Sequence, residues 1–284
     1  AMRSDAIRHY RRALTLKPDY AEAYNNLAAA ISVDSLDEAT EYYRRAIDLK
    51  PDFAEAHFNL SLVHLLMGDF EKGWEGHEWR WKCEAASKQR DFNQPLWGGS
   101  DLNGRTILLH AEQGYGDTLQ FIRYAPLVQQ RGGHVIVECQ PPLTRLLRSV
   151  AGINQLVPQG DPLPTFDTHL PLLSLPRVFH TRLDNIPATV PYLELPMDPR
   201  DTLDISIKPH RNKMRVGIVW RGRETHSDDL NRSCPLSCFV ELAEQRKMHL
   251  FSLQKGPSSL ANMNTPPDFP ILDLSLHLDD FYDT

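Results

Sequence analysis

The sequence predicts two architectures in one chain: an all-α run of paired helical repeats, then an α/β region in two parallel-sheet halves, the second incomplete. Three observations predict it. "DAIRHYRRALTLKPDYAEAYNNLA" recurs as "DEATEYYRRAIDLKPDFAEAHFNLS" near the N-terminus. From residue 105, short apolar runs alternate with helically spaced ones. A proline-rich stretch, "IPATVPYLELPMDP", then precedes a second apolar start, "MRVGIVWRG".

Composition bounds the rest. At 284 residues the chain has room for about two domains. Hydrophobic content of 41% and charged content of 24% are ordinary for a soluble globular protein. A net charge of −6 and a pI near 6.1 exclude a general nucleic-acid binder. No apolar run reaches the roughly 18 residues of a membrane span, and no secretory signal heads the chain. Cys83, Cys139, Cys234 and Cys238 form no CxxC pair, so a reducing cytoplasm is the expected home. Cys234 and Cys238 share a helix face but lack the two further ligands that zinc needs. Ala1-Met2 reads as a remnant ahead of an internal start, and Asp283-Thr284 break off a patterned region, so a fragment is expected.

The repeats come first. Pro18 and Pro51 lie 33 residues apart, and Ala39 and Gly73 lie 34 apart. A period near 34 with small residues at fixed places and a closing proline is the tetratricopeptide (TPR) pattern of antiparallel helix pairs. It gives a half repeat (5–19), a full one (20–52) and a diverging one (53–82). Ala28, Ala39 and Ala46 allow close helix contact, Tyr24, Leu27, Tyr43 and Leu60 fill the interface, and Pro18 and Pro51 separate helix pairs. Repeat stacks present concave surfaces that recruit a protein, peptide or glycan. With so few units, the favoured reading is the end of an array, capping the next domain. In "GDFEKGWEGHEWRWKCE", Trp74, Trp79 and Trp81 share one helix and are expected to fix the repeats to the globular part. Repeats and junction span 1–92, and "NQPLWGGSDLNG" (93–104) reads as a linker or turn-rich crossing.

The first α/β half is expected over 105–200. "TILLHAE" is a strand, 117–131 a helix, "HVIVECQ" a strand, "PLTRLLRSV" a helix, "INQLVPQG" a short strand, and "FDTHLPLLSLPRVF" a strand then a loop. The second half, 201–284, holds "MRVGIVWRG" as a strand, a loop and helix through "RETHSDDLNRSCPLSCFVELAEQ", and "HLFSLQKG" as a strand with a glycine-ended turn. About two strands of a second sheet are therefore expected. Alternation with short loops means parallel βαβ units, here two Rossmann-like halves, whose ligands bind at the carboxyl ends of the strands.

The turn "HAEQGYGDTLQFIRYAP" (110–126) joins a strand to a helix through Gly114 and Gly116, with Asp117 opening the helix. It reads as a phosphate cradle, a catalytic site or a tight corner. An acid at the helix start repels phosphate, which disfavours the cradle. As an N-cap, Asp117 contributes about 1 kcal/mol. In the second half, Arg221, Arg223 and Arg232 flank a strand-to-helix loop, with Arg232-Ser233 at the expected helix start, where anions are favoured. Their charge also pairs plausibly with Asp228 and Asp229 on a solvated loop. The histidines, His9, His57, His64, His77, His134, His169 and His180 among them, read as structural and unclustered.

Taken together, "GDFEKGWEGHEWRW", "LLHAEQGYGDTLQFIRYAP", "VGIVWRG…HSDDLNRSCPL" and "FSLQKG" span nearly the whole chain. In this order they resemble bacterial tetratricopeptide-repeat proteins whose C-terminal part is similar to the heptosyltransferase-like glycosyltransferases of the GT-B fold. The resemblance implies sugar transfer from a nucleotide-sugar donor, with inversion, between two α/β domains, and no further cofactor. It implies that Asp117 is the catalytic base, so that base and cap stand side by side as readings of Asp117; Glu112 and Gln113, at the strand's end just before it, are placed to orient the acceptor. The residues of the second half themselves put the donor diphosphate on Arg232 first, then Arg221 and His226, with Ser233 at the expected helix start and Gly114 and Gly116 at the first turn; Gln254 and Lys255 read equally as nucleotide contacts and as a simple turn. The chain has no Asp-x-Asp, so a metal-held diphosphate is not supported. The family's later nucleotide-binding segments would lie beyond Thr284, so donor binding by this chain is expected to be weak. A second class stays open: a non-catalytic interaction scaffold, in which the repeats recruit a partner and the α/β part is degenerate.

Overall fold

The computed structural model describes residues 2–84, 89–194, 212–222, 229–243, 248–263 and 270–283. Five helices come first: α1 (Met2–Leu16), α2 (Ala21–Ile31), α3 (Leu36–Leu49), α4 (Ala54–Leu66) and α5 (Phe70–His77). Each packs on its neighbour in sequence. Leu27, Ala28, Ala39, Tyr43 and Ala46 are buried at the centre of the stack, with Tyr24 and Leu60 packed against them, as the repeat pattern predicts. Ser35 caps α3 by accepting from the Glu38 N–H at 3.3 Å, and Asp69 caps α5 from Lys72 at the same distance.

The junction runs on from α5 into a 3-10 turn, Glu78–Lys82. Its tryptophans face different neighbours. Trp79 lies flat on His57 of α4, ring centroids 3.8 Å apart, while Trp74 meets Phe121 of the α/β layer edge-on at 6.1 Å. The helix thus grips the repeats with one aromatic residue and the sheet layer with another.

The first sheet has four parallel strands in the order β3-β2-β1-β4: β1 (Thr106–His110), β2 (His134–Cys139), β3 (Gln155–Pro158) and β4 (Thr168–Pro171). On one face Ile107, Leu109, Val135 and Val137 are fully buried, and a broken helix packs along β2. That helix was expected to be continuous over 117–131. It is α6 (Tyr115–Phe121), a 3-10 turn and α7 (Ala125–Gln129), because Pro126 has no N–H to continue the first helix. The segment expected as a loop after β4 forms a 3-10 turn (Leu172–Ser174) and one helical turn, α9 (Leu175–Val178).

The other face carries Leu108, Ile136 and Val157, covered by Phe92, Leu163 and Phe166. The stretch expected to be a linker or turn-rich crossing, 93–104, meets this sheet at one point, an isolated parallel bridge between Leu96 and His169. The Pro95 carbonyl accepts from His169 N–H at 3.2 Å and from the Thr168 hydroxyl at 2.7 Å, while Trp97 N–H donates to the His169 carbonyl at 2.9 Å. Residues 95–97 therefore line the outer edge of β4. Accordingly, repeats, junction and first sheet fall in one compact unit (1–140 with 150–192), and 141–149 with 193–284 form another. The expected boundaries around 93–104 do not divide them.

Under Phe92 lies a histidine pair that the sequence reading left unclustered. His110 Nε2 and His169 Nδ1 are 3.4 Å apart, and both rings contact Phe92, at 5.7 and 4.7 Å. Arg90 pairs with buried Glu138 and lies over the Phe92 ring at 4.6 Å.

The second unit contains α8 (Thr144–Leu147) and a three-stranded parallel sheet, β5-β6-β7: β5 (Met214–Ile218), β6 (Met248–Ser252) and β7 (Ile271–Asp273). About two strands were expected; Ile271–Asp273 is the third, too short to read as a strand from periodicity. Short helices α10 (Asp229–Arg232) and α11 (Ser237–Ala243) lie between β5 and β6. Ile218, Trp220, Leu236, Leu250 and Leu260 form its core.

Burial makes acid costly for two histidines of the first unit. It pushes the His77 imidazole down to about 4 and His110 down to about 3, with the nearby arginines adding to both shifts. Both groups are therefore neutral when folded and charged when unfolded between those values and 6.5. The stability from keeping them neutral is complete above pH 6.5 and is lost as pH falls below it. At about 1.4 kcal/mol per pKa unit, His77 alone loses roughly 3 kcal/mol by pH 4. Glu112, whose carboxyl burial pushes up to about 7, works in the opposite direction over much of this range, so the readout is a difference: we expect wild type to lose stability relative to His110→Gln as pH falls from 6.5 to 4 in urea unfolding. An unchanged slope in the variant would contradict the assignment.

Candidate functional site at the carboxyl ends of the first sheet

Strand order locates the site. From β1 the chain passes to β2 on one side, and β4 joins β1 on the other. The carboxyl ends of β1 and β4 are thus a topological switch point, where the connecting loops diverge and open sheets of this kind leave a crevice for ligand. The turn singled out in the sequence leaves β1 here.

The crevice is occupied by the protein's own Arg80. Its Nη2 donates to Glu112, just past β1, at 2.9 and 3.3 Å, and to Ser174 Oγ, just past β4, at 2.8 Å. Its Nη1 donates to Glu78 Oε1 at 2.9 Å and to the His77 carbonyl at 3.2 Å, and the Trp81 ring lies 4.5 Å from the guanidinium carbon. Ser174 closes the ring by donating to Glu78 Oε2 at 3.1 Å. Arg80 and Glu112 side chains are each 5% exposed. Only guanidinium has enough donors in a fixed fork to serve these acceptors together. Two carboxylates share one cation, and burial pushes the Glu112 carboxyl up to about 7 despite the opposing pull of Arg80. Expected to orient an acceptor, Glu112 is instead engaged in this buried network.

Outside the network the turn faces solvent. Gln113, Gly114, Tyr115 and Gly116 are exposed and Asp117 is half-buried. The helix starts earlier than expected: Gly114 is the N-cap, and Asp117, in the third helical position, accepts from the Gly114 N–H through Oδ2 at 3.0 Å. Asp117 thus caps by reaching back rather than by opening the helix. Neither Gly114 nor Gly116 needs a left-handed backbone, so the expected sharp glycine turn is absent. A Cβ on Gly116 would meet nothing within 4 Å, whereas one on Gly114 would sit 3.3 Å from Asp117 Oδ2.

Two glutamines that sequence reasoning missed hold the turn. Gln140, directly after β2, donates to the Gln113 carbonyl at 2.8 Å and accepts from Thr118 Oγ1 at 2.9 Å. Gln159, directly after β3, donates to the Ala111 carbonyl at 3.1 Å. The signal was present as an amide immediately following each of two strand ends, in "VECQ" and "LVPQ".

In the second unit the expected donor residues cluster on the loops after β5 and β6. Gln254 is buried, its Oε1 accepting from Trp220 and Arg221 N–H at 3.2 and 3.0 Å. Ser233 Oγ accepts from Gly222 N–H at 2.9 Å and donates to Asp229 at 2.7 Å. Lys255 Nζ donates to the Leu278 carbonyl. Arg221 and Arg232 are exposed, with Arg221 Nε 3.9 Å from Asp229. Arg232-Ser233 does not open a helix: Arg232 ends α10, and the next helix starts at Ser237, beyond Pro235. The dipole argument for an anion at Arg232 therefore falls. Arg223 and His226 lie outside the described residues.

Residues 4–31 and 34–68 match the family model described as a TPR repeat. The protein FlbA of Caulobacter vibrioides is 31% identical over 127 residues, 43% of this chain, and the chain spans about one fifth of its length, 21%. Among solved structures, the MamA protein is 31% identical over 29% of this chain and 45% of its own, at a TM-score of 0.27. A mutant O-GlcNAc transferase of Thermobaculum terrenum is 16% identical, covering 53% of this chain and 37% of that one, at a TM-score of 0.26. The N-terminal helices are thus TPR repeats, and the two structural likenesses are too slight to bear on what the α/β part does.

Removing one partner of a buried ion network leaves an uncompensated charge, which typically costs about 3–5 kcal/mol. Arg80→Ala should destabilise the first unit by that order in urea unfolding, with Arg80→Lys rescuing little of it; full rescue by lysine would show that charge alone matters. Gly116→Ala, inside a helix and facing open space, should leave stability unchanged or raise it by up to about 1 kcal/mol. A loss larger than about 1 kcal/mol would show that the turn is tighter than described.

Proposed function

We propose that the chain is the repeat-bearing part of a metal-independent glycosyltransferase that moves a sugar from a nucleotide-sugar donor to an acceptor hydroxyl with inversion. In this reading Asp117 takes the proton of the acceptor hydroxyl. The acceptor oxygen bonds to the anomeric carbon as the bond to the diphosphate breaks, and the nucleoside diphosphate leaves. Arg221, on the loop after β5, and Arg232, at the end of α10, both exposed, are the candidate counter-charges for that diphosphate, with His226 a further candidate from the sequence. Ser233, Gln254 and Lys255 shape those loops. Glu112 acts through the Arg80 network as a positioning residue, and Gln113 is held beside Asp117 by Gln140.

The observation that carries the reading is Asp117 itself. It is a half-exposed carboxylate in the turn after β1, at the switch point, on a backbone that Gln140 and Gln159 hold from neighbouring strands. Its cap uses one oxygen, which is compatible with proton uptake at the other.

One observation favours a second reading. Arg80 occupies the crevice where such sheets take ligand, which suits an interaction scaffold whose repeats bind a protein partner and whose α/β part supports them. Release of nucleoside diphosphate from a panel of nucleotide sugars by the full-length protein that carries this chain separates the two; no release and no calorimetric binding of any donor by that protein supports the scaffold.

Within the enzyme reading, Asp117→Asn keeps an oxygen to accept from Gly114, so the melting temperature should shift by no more than about 2 °C. Losing a general base should lower turnover by about 10²–10⁴. Turnover within a factor of about three of wild type would remove Asp117 as the base.

A further inference from the structure

We infer that the cleft between α5 and α9 is a binding site for a neutral saccharide, the chemical class of acceptor for the transfer proposed above. The identification of the ligand as an acceptor rests on that proposal; the binding site does not. The cleft lies wholly within the first unit and has a cavity volume of about 510 Å³, the size range of small-molecule pockets. A second hollow of about 450 Å³ shares Phe70, Glu71 and Arg182 with it, so the cleft continues past Leu183 and has length for more than one ring.

Its chemistry selects the ligand class. Phe70 and Trp74 provide aromatic surface suited to the C–H face of a ring. Around them stand two carboxylates, Glu71 and Glu75, and two guanidinium groups, Arg177 and Arg182. Each hydroxyl of a sugar both donates and accepts, so it is served by carboxylates and guanidiniums together. A phosphate or an acidic peptide would need a net positive lining, which this cleft, with Asp69 and Asp184 along its second hollow, does not have; three of its carboxylates already face cations, Asp69 with Lys72, Glu75 with Arg177 and Asp184 with Arg182, rather than standing together for a bound cation.

The wall is preformed. Asn185 accepts from Arg182 N–H at 2.6 Å and donates to the His180 carbonyl at 3.3 Å, and Thr181 hydrogen-bonds Tyr124 at 2.9 Å. Trp74 also rests on Phe121, one helical turn along α6 from Asp117. A saccharide on Trp74 is therefore held on the same side of α6 as the proposed base.

Gly98 provides a clean test, because it lines the cleft and a Cβ added there would meet nothing within 4 Å. Gly98→Phe should place a ring in the cleft, starting from a Cβ position that meets no protein atom within 4 Å. The probes are glucose, N-acetylglucosamine, maltose and cellobiose at up to 20 mM, with inorganic phosphate and a glutamate-rich peptide as controls. Binding is read by saturation-transfer NMR and tryptophan fluorescence, and folding by melting temperature. We expect at least one saccharide to bind the wild-type chain, Gly98→Phe to weaken it at least tenfold at unchanged melting temperature, and Asp117→Asn to leave it intact. No saccharide binding at 20 mM, binding undiminished in folded Gly98→Phe, or preference for phosphate or the acidic peptide would each overturn the proposal. If Gly98→Phe fails to fold, Arg182→Ala, at an exposed loop position, replaces it with the same expected weakening, and binding undiminished there overturns the proposal equally. Turnover lost in Asp117→Asn with saccharide binding retained supports base and cleft separately. Turnover retained there removes the base and leaves the cleft standing.

Discussion

The guanidinium of Arg80 is the interaction on which the first unit depends. It is buried and answered by Glu112, Glu78, Ser174 and the His77 carbonyl. Isolated charges are costly to bury, so this one holds its partners in place: move any of them and a charge is stranded in low dielectric. The partners come from the repeat junction, the end of β1 and the end of β4. One side chain thus fixes the last repeat helix to the two strand ends that define the switch point, and the catalytic reading of the neighbouring turn inherits its geometry from that lock.

Around this lock the turn is supported in layers. Glu112 anchors its start to Arg80, and Gln159 and Gln140 hold the Ala111 and Gln113 carbonyls. Asp117 ties its end back to Gly114. Little of the support comes from glycine flexibility. The open space at Gly116 is therefore available to a ligand rather than required by the backbone.

How much was legible follows from the range of each interaction. The repeats were legible because their period repeats the same local packing, and β1 and β2 because both are continuous apolar runs. Pro126 was in plain view, yet the helical spacing across it hid the break between α6 and α7. Likewise Pro235 delays the helix that Arg232-Ser233 was expected to open. The cap at Asp117 was foreseen in kind and misplaced by three residues. Arg80, Gln140 and Gln159 were not legible as site residues, since their partners lie far off in sequence: Ser174 is 94 residues from Arg80, and Ala111 is 48 from Gln159. The His110–His169 pair was hidden in the same way, 59 residues apart.

The Pro95–Trp97 segment that lines β4 has a consequence for how the protein is made. An uncovered strand edge is a template for pairing with another chain. This cover is synthesised before β1 but has no strand to lie against until β4 has left the ribosome. Until then the growing sheet ends at β1, with an unpaired flank of apolar backbone between Thr106 and His110. The repeats, complete by that time, stand directly upstream of the exposed flank. Synthesis order thus sets closure order: β4 must first pair along β1, and only then does the waiting Pro95–Trp97 segment find the edge it covers.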